Sequence, residues 1–158
     1  MTETLIWLES TAIARAIREI PWMYAAFETT HYLGLAMLVG GIMLIDLRLL
    51  GFARRLPLPP MLGLLPWVWA GFATNVVTGS LMFVYGATSF GTKRMFWLKM
   101  ALMALAGLNA LVFSVALARS GGQWVAAGRA PAPIKLVATL SLALWLGVMT
   151  AGRWMAYA

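Results

Sequence analysis

Long apolar runs alternate along this chain with short segments rich in proline, glycine and basic residues. A membrane-spanning helix needs about 20 apolar residues. Four blocks meet that length, near residues 21–50, 64–87, 95–117 and 134–157. The stretch "GFARRLPLPPMLGLLP" carries prolines at 57, 59, 60 and 66, which forbid a regular helix; "GATSFGTKR" makes a short turn, and "ARSGGQWVAAGRAPAP" is a flexible connection. Linkers this short make successive helices alternate up and down. The pattern predicts an all-α fold, an integral membrane four-helix up-and-down bundle over residues 21–158.

The first segment, "TETLIWLESTAIARAIREI", has a different rhythm. Ile6, Ile13, Ile17 and Ile20 recur at helical spacing, with Arg15, Arg18 and Glu19 elsewhere around the wheel. Residues 1–20 are therefore expected to form an amphipathic helix lying in the membrane interface. They do not read as a signal peptide, since no basic start precedes an apolar core and Glu3 and Glu9 interrupt the region. Pro21 is expected to open the first spanning helix, a position where proline is tolerated.

Composition agrees with this reading. The 158 residues are 62% hydrophobic and 11% charged, against about 25% charged in soluble domains. A net charge of +7 in a soluble chain would suggest nucleic acid. Here the basic residues gather at helix ends, where lipid headgroups are the ordinary partners. Trp22, Trp67, Trp97 and Trp154 near predicted ends suit aromatic belts, and Trp145 is read as packing. The absence of cysteine excludes disulfides, thiolate metal sites and cysteine nucleophiles. Basic residues are evenly divided between the two sides; Lys99 and Arg153, which fall inside helices, tilt the expected orientation toward both termini outside the cytoplasm.

The helical wheels place polar residues in stripes. Tyr24, Glu28, His31, Gly34, Leu38, Gly41 and Asp46 share one face of the first spanning helix; Gly34 and Gly41 leave a groove that suits either another helix or a flat cofactor. The second helix aligns Gly71, Thr74, Asn75, Thr78, Met82 and Tyr85. The third aligns Lys99, Met103, Ala106, Ala110 and Phe113, with Asn109 at the border; the fourth aligns Thr139, Leu142, Leu146, Thr150 and Arg153, bordered by Met149. With up-and-down topology, His31, Met82, Lys99, Met103, Met149 and Arg153 belong to one half of the bundle. The other half holds Asp46 and Arg48, which are expected to set the depth of a helix end and to bond loop backbone.

Ionisable groups inside a membrane are costly, so the only histidine calls for an account. One reading pairs His31 with Glu28, its i,i+3 neighbour, as structural glue alongside Asn75 and Asn109. A second makes His31 an axial ligand of haem b, with Met82, Met103 or Met149 as sixth ligand and Lys99 and Arg153 neutralising propionates near the groove of Gly34. A third is a Cu(I) site of His31, Met82 and Met103, set against the ordinary use of methionine as core filler. No nucleophile–base pair or carboxylate dyad is evident, so an electron carrier or a subunit is expected rather than a stand-alone enzyme.

The stretches "ETTHYLGLAMLVGGIMLIDLRLLG", "LLPWVWAGFATNVVTGSLMF" and "FWLKMALMALAGLNALVF" resemble an uncharacterised bacterial family of small four-helix inner-membrane proteins. That family is distantly similar to the membrane domain of copper-resistance protein D and to b-type membrane cytochromes. The resemblance covers residues 22–113 and points to His31, Asp46, Arg48, Trp69, Asn75, Gly79, Lys99 and Asn109. Relatives often carry a histidine where this chain has Ser114, so a ligand from that site is absent here. The resemblance implies the bacterial inner membrane; a homo-oligomer or a partner membrane subunit is expected. The favoured expectation is a small membrane haem protein serving electron transfer; the alternatives are a copper-handling protein and a non-catalytic structural subunit.

Overall fold

The computed structural model describes residues 2–120 and 122–157, and every described element is helical. The elements are α1 (Thr2–Ser10), α2 (Ala12–Glu19), α3 (Met23–Leu50), α4 (Leu58–Leu62), α5 (Leu65–Tyr85), α6 (Ala87–Gly91), α7 (Arg94–Arg119), α8 (Gln123–Ala126) and α9 (Ala132–Trp154). Among the described residues they form four spans, α3, α4 joined with α5, α7 and α9, long and apolar enough to cross a membrane. The chain is a multi-pass membrane protein on that basis.

The amphipathic segment is two helices rather than one. Thr11 breaks it, because its hydroxyl accepts the Ala14 N–H at 3.3 Å and caps α2, as N-terminal threonines do. The first spanning helix begins at Met23, after a turn that contains Pro21. It ends at Gly51, whose φ of 105° lets its N–H reach the Arg48 carbonyl while the Phe52 N–H reaches that of Leu47. Only glycine takes that left-handed turn without strain. The prolines at 59 and 60 do not exclude helix. They occupy the first turn of α4, where backbone N–H groups have no partner in any helix.

The packing is uneven around the bundle. α3 lies tightly against α5, α7 against α9, and α3 joins the two pairs through α9; α5 and α7, although consecutive spans, do not pack closely. The closest approach of two helix backbones is glycine on glycine. A Cβ on Gly71 would stand 2.6 Å from the Gly34 carbonyl oxygen, and one on Gly41 would stand 2.5 Å from Val68 Cγ2. The groove on the first helix therefore receives α5, which settles the alternative left open by its spacing, and Gly34 is a packing residue. Leu38, Leu49, Ala138, Trp145 and Val148 form the centre of the core.

The fourth helix turns a different face inward from the one its polar stripe suggests. Ile134, Ala138, Ser141, Trp145, Val148 and Ala151 are buried, while Thr139, Leu146, Met149, Thr150 and Arg153 are exposed. The reason is local. Thr139 donates to the Lys135 carbonyl at 3.0 Å and Thr150 to that of Leu146 at 2.8 Å, so neither hydroxyl needs a bundle partner.

Candidate functional site

His31 sits on α3, half-buried, facing α5. Glycine at 79 makes room for it: a Cβ there would stand 3.3 Å from His31 Cε1. Thr78 occupies the next position on α5, and its Oγ1 lies 2.8 Å from His31 Nδ1. Which atom donates follows from the rest of the chain of bonds. The single hydroxyl hydrogen of Thr78 goes to the Thr74 carbonyl, 2.7 Å away. Its oxygen can then only accept, so Nδ1 carries the ring proton and Nε2 keeps a free lone pair. This is the tautomer that binds a metal through Nε2, with the second nitrogen oriented by a protein acceptor.

The expected pairing of His31 with Glu28 is absent. Glu28 turns aside and accepts from the Tyr32 hydroxyl at 3.2 Å. A side chain on α5 wins over the neighbour on the same helix because the close Gly34–Gly71 crossing brings α5 within reach.

Beside the imidazole lies a largely apolar cavity of about 430 Å³. Its walls come from α3, α5, α7 and α9, with Leu8 of α1 and Phe90 of α6 at one end. His31, Met82, Lys99 and Met103 all line it, so four of the six residues assigned to that half of the bundle do converge. Met149 and Arg153 do not. Both lie on the outward face of α9, and Arg153 donates to the Tyr157 hydroxyl at 2.7 Å and sits over its ring. Met100 also lines the cavity, one turn from Phe96 and Met103. Its i,i+3 spacing to Met103 was the available signal, obscured because it falls just off the stripe drawn through Lys99.

Among the described residues, Lys99 is the one charged residue lining this cavity, and no carboxylate lines it. Its ammonium lies against the backbone at Gly152, where a Cβ would stand 3.6 Å from Nζ. Asn75 is 8% exposed; its Nδ2 donates to the Gly71 carbonyl at 2.9 Å, and its Oδ1 has no partner. The chamber thus presents an imidazole lone pair, an amide oxygen and a cation inside an apolar wall. Among the described residues no group of three or more His, Cys, Asp or Glu side chains is placed to hold a metal. A metal here would depend on nitrogen and thioether sulfur or on its own macrocycle.

The opposite half of the bundle holds a separate polar pair. Asp46 and Arg48 lie about 22 Å and more from His31 along α3, at 1.5 Å per residue. Arg48 is buried and donates from Nε to the Leu56 carbonyl at 2.5 Å and from Nη2 to that of Gly128 at 3.4 Å, tying the helix end to two loops. Asp46 is equally buried; Ser141 is its polar neighbour on α9, and its Oδ2 is unpartnered. Asn109 donates to the Val137 carbonyl at 3.1 Å and joins α7 to α9. Ser114 bonds its own helix at Ala110 and is exposed, and Trp69 is exposed against the edge of Phe72.

At the other membrane face, α1 and α2 are strapped to the bundle. The Glu9 carboxylate accepts from the Thr88 N–H at 2.8 Å and the Thr88 hydroxyl at 2.7 Å, and these bonds hold its pKa below the ordinary carboxylate value. Arg18 donates to the Tyr85 carbonyl at 3.2 Å and to that of Glu9.

The chain belongs to the family of unknown function DUF6644, whose model matches residues 4–158. No curated protein and no solved structure matches it.

Proposed function

We propose that this chain is a small membrane haem b protein, with His31 Nε2 as axial ligand, that passes electrons or serves as a subunit of a larger membrane oxidoreductase. The observation that carries the reading is the bond chain His31–Thr78–Thr74, which leaves Nε2 unprotonated beside an apolar cavity. Haem iron takes such an imidazole. The cavity volume falls within the range of about 300–1,000 Å³ usual for cofactor sites. Lys99 supplies a cation for a propionate, and the lack of lining carboxylates leaves that charge free to act. Met82, Met100 and Met103 provide polarizable walls. Bound there, haem would supply one-electron chemistry. The protein's own part is to fix the ring tautomer, hold the imidazole in place and keep water from the chamber.

Those thioethers and that of Met155, four in all beside one imidazole, favour Cu(I) as the second reading, since soft ligands suit that ion. We place the protein in the bacterial inner membrane with both termini outside the cytoplasm, as an oligomer or beside a partner subunit. The test of function is an absorption spectrum of detergent-purified protein grown with ample haem, before and after dithionite, with metal analysis on the same sample. A Soret band and a sharp reduced α-band at near-stoichiometric iron, both lost in His31→Ala, support haem. A colourless sample overturns it, and bound copper that falls in Met103→Ala transfers the site to the second reading.

A further inference from the structure

One end of the cavity is capped, and one flank is bordered by exposed lining residues. Toward the membrane surface it is capped by Leu8 and Phe90, and the cap is fastened: Glu9 grips Thr88, and Leu5 fills the space at Gly91, where a Cβ would come within 2.8 Å of its Cδ1. Just beneath the cap, Phe83 of α5 stacks on Phe96 of α7 with ring centroids 4.9 Å apart. Deeper in, α5 packs on α3 and α7 packs on α9, and no comparable contact bridges α5 to α7. Val76 and Ser80 line the cavity yet are exposed, Val76 to 45%. The chamber therefore reaches the surface between α5 and α7. Val76 lies nine residues from the end of α5 at Tyr85, about 14 Å along the helix. That depth is near the middle of a hydrocarbon core about 30 Å thick.

We propose that the gap between α5 and α7 is a lateral portal, and that the cavity takes its ligand from the bilayer rather than from water. The ligand class is a flat, membrane-dissolved amphiphile whose anionic end meets Lys99. The proposal rests on the haem reading only for the choice of molecule; the route follows from the capped end and the open side.

The test uses the full chain in phosphatidylcholine vesicles, with hemin predissolved in the lipid and followed by its Soret band. Ser80→Trp, on the exposed rim, is expected to slow loading about tenfold or more, as a block of access acts on rate. Glu9→Ala, which unfastens the cap, is expected to leave the rate unchanged. Faster loading in Glu9→Ala with no effect of Ser80→Trp would place entry at the aqueous end and overturn the portal.

A second readout does not need hemin. The chain has no cysteine, so a bimane on Met103→Cys reports from the cavity alone. Quenching by brominated lipid chains, with little by aqueous iodide and a sharp drop when Ser80→Trp is added, supports the portal. Stronger quenching by iodide, or by neither agent, overturns it. If hemin fails to bind while bromolipid quenching follows this pattern, the haem reading falls and the portal stands.

Discussion

The tautomer of His31 can be measured directly, because it is the only histidine in the chain. Protein labelled with nitrogen-15 in histidine gives a one-residue imidazole spectrum, and the perturbation is Thr78→Val, which keeps the shape and removes the hydroxyl. In the native protein Nδ1–H donates to Thr78 Oγ1 at 2.8 Å, and that oxygen has spent its hydrogen on Thr74. A bond of this kind is worth about 1 kcal/mol net, rising to about 3 kcal/mol when its loss leaves a buried donor unpaired. That converts to a weighting of the Nδ1–H form between about fivefold and about 150-fold. The native ligand-free spectrum should therefore show one protonated and one unprotonated nitrogen, with the proton on Nδ1. Thr78→Val should yield a mixture or the Nε2–H form, and Thr78→Ser should restore the native pattern. Haem affinity should fall by about 10–100-fold in Thr78→Val, the usual cost of losing a partner that orients a metal-binding histidine. A native spectrum with the proton on Nε2 would refute the reasoning, whatever the protein binds.

Other substitutions probe the frame around the site. Gly71→Ala sets a methyl 2.6 Å from the Gly34 carbonyl and 2.8 Å from the Leu38 nitrogen. The overpacking is expected to cost about 1–3 kcal/mol in a denaturing-detergent titration, whereas Gly107→Ala, with nothing within 4 Å, should change stability by less than about 0.5 kcal/mol. Because the folded pKa of Glu9 lies below its ordinary value of 4.5, its contribution is complete above that value and is lost as pH falls through the folded pKa. Spin labels at Glu3→Cys and Arg94→Cys should accordingly broaden in separation in acid, and in Glu9→Gln at neutral pH. Arg48→Met is expected to raise hydrogen exchange around Leu56 and Gly128 without altering occupancy of the cavity. Met149→Ala and Arg153→Ala, both outside the cavity, should leave a haem spectrum as it is, and a lost Soret band in either would contradict the placement of α9.

The four spans and the inward faces of α3, α5 and α7 were legible in the sequence, since apolar length and small-residue stripes are set by the chain itself. The face of α9 was not. A hydroxyl that bonds its own helix is as content toward lipid as toward protein, so Thr139 and Thr150 carry no directional information. The same limit hid the partner of His31. Glu28 and Thr78 are equally sensible on paper, and only the closeness of the Gly34–Gly71 crossing decides for Thr78. The break at Thr11 and the proline-led turn of α4 carry capping signals of their own, masked in the sequence by the longer amphipathic pattern and by proline's usual effect as a helix breaker.

The arrangement of two tight helix pairs joined through α3 and α9 also orders the life of a newly made chain. The first pair, with His31 and Thr78, is complete once α5 has been synthesised. The chamber is not, because Trp145 and Val148 of α9 form part of its wall. A ribosome that has not passed residue 154 has therefore made the ligand but no room beside it. Were haem bound as proposed, its insertion would be a late event in biogenesis, and a chain interrupted between α7 and α9 would leave in the membrane an oriented histidine with no chamber to retain it.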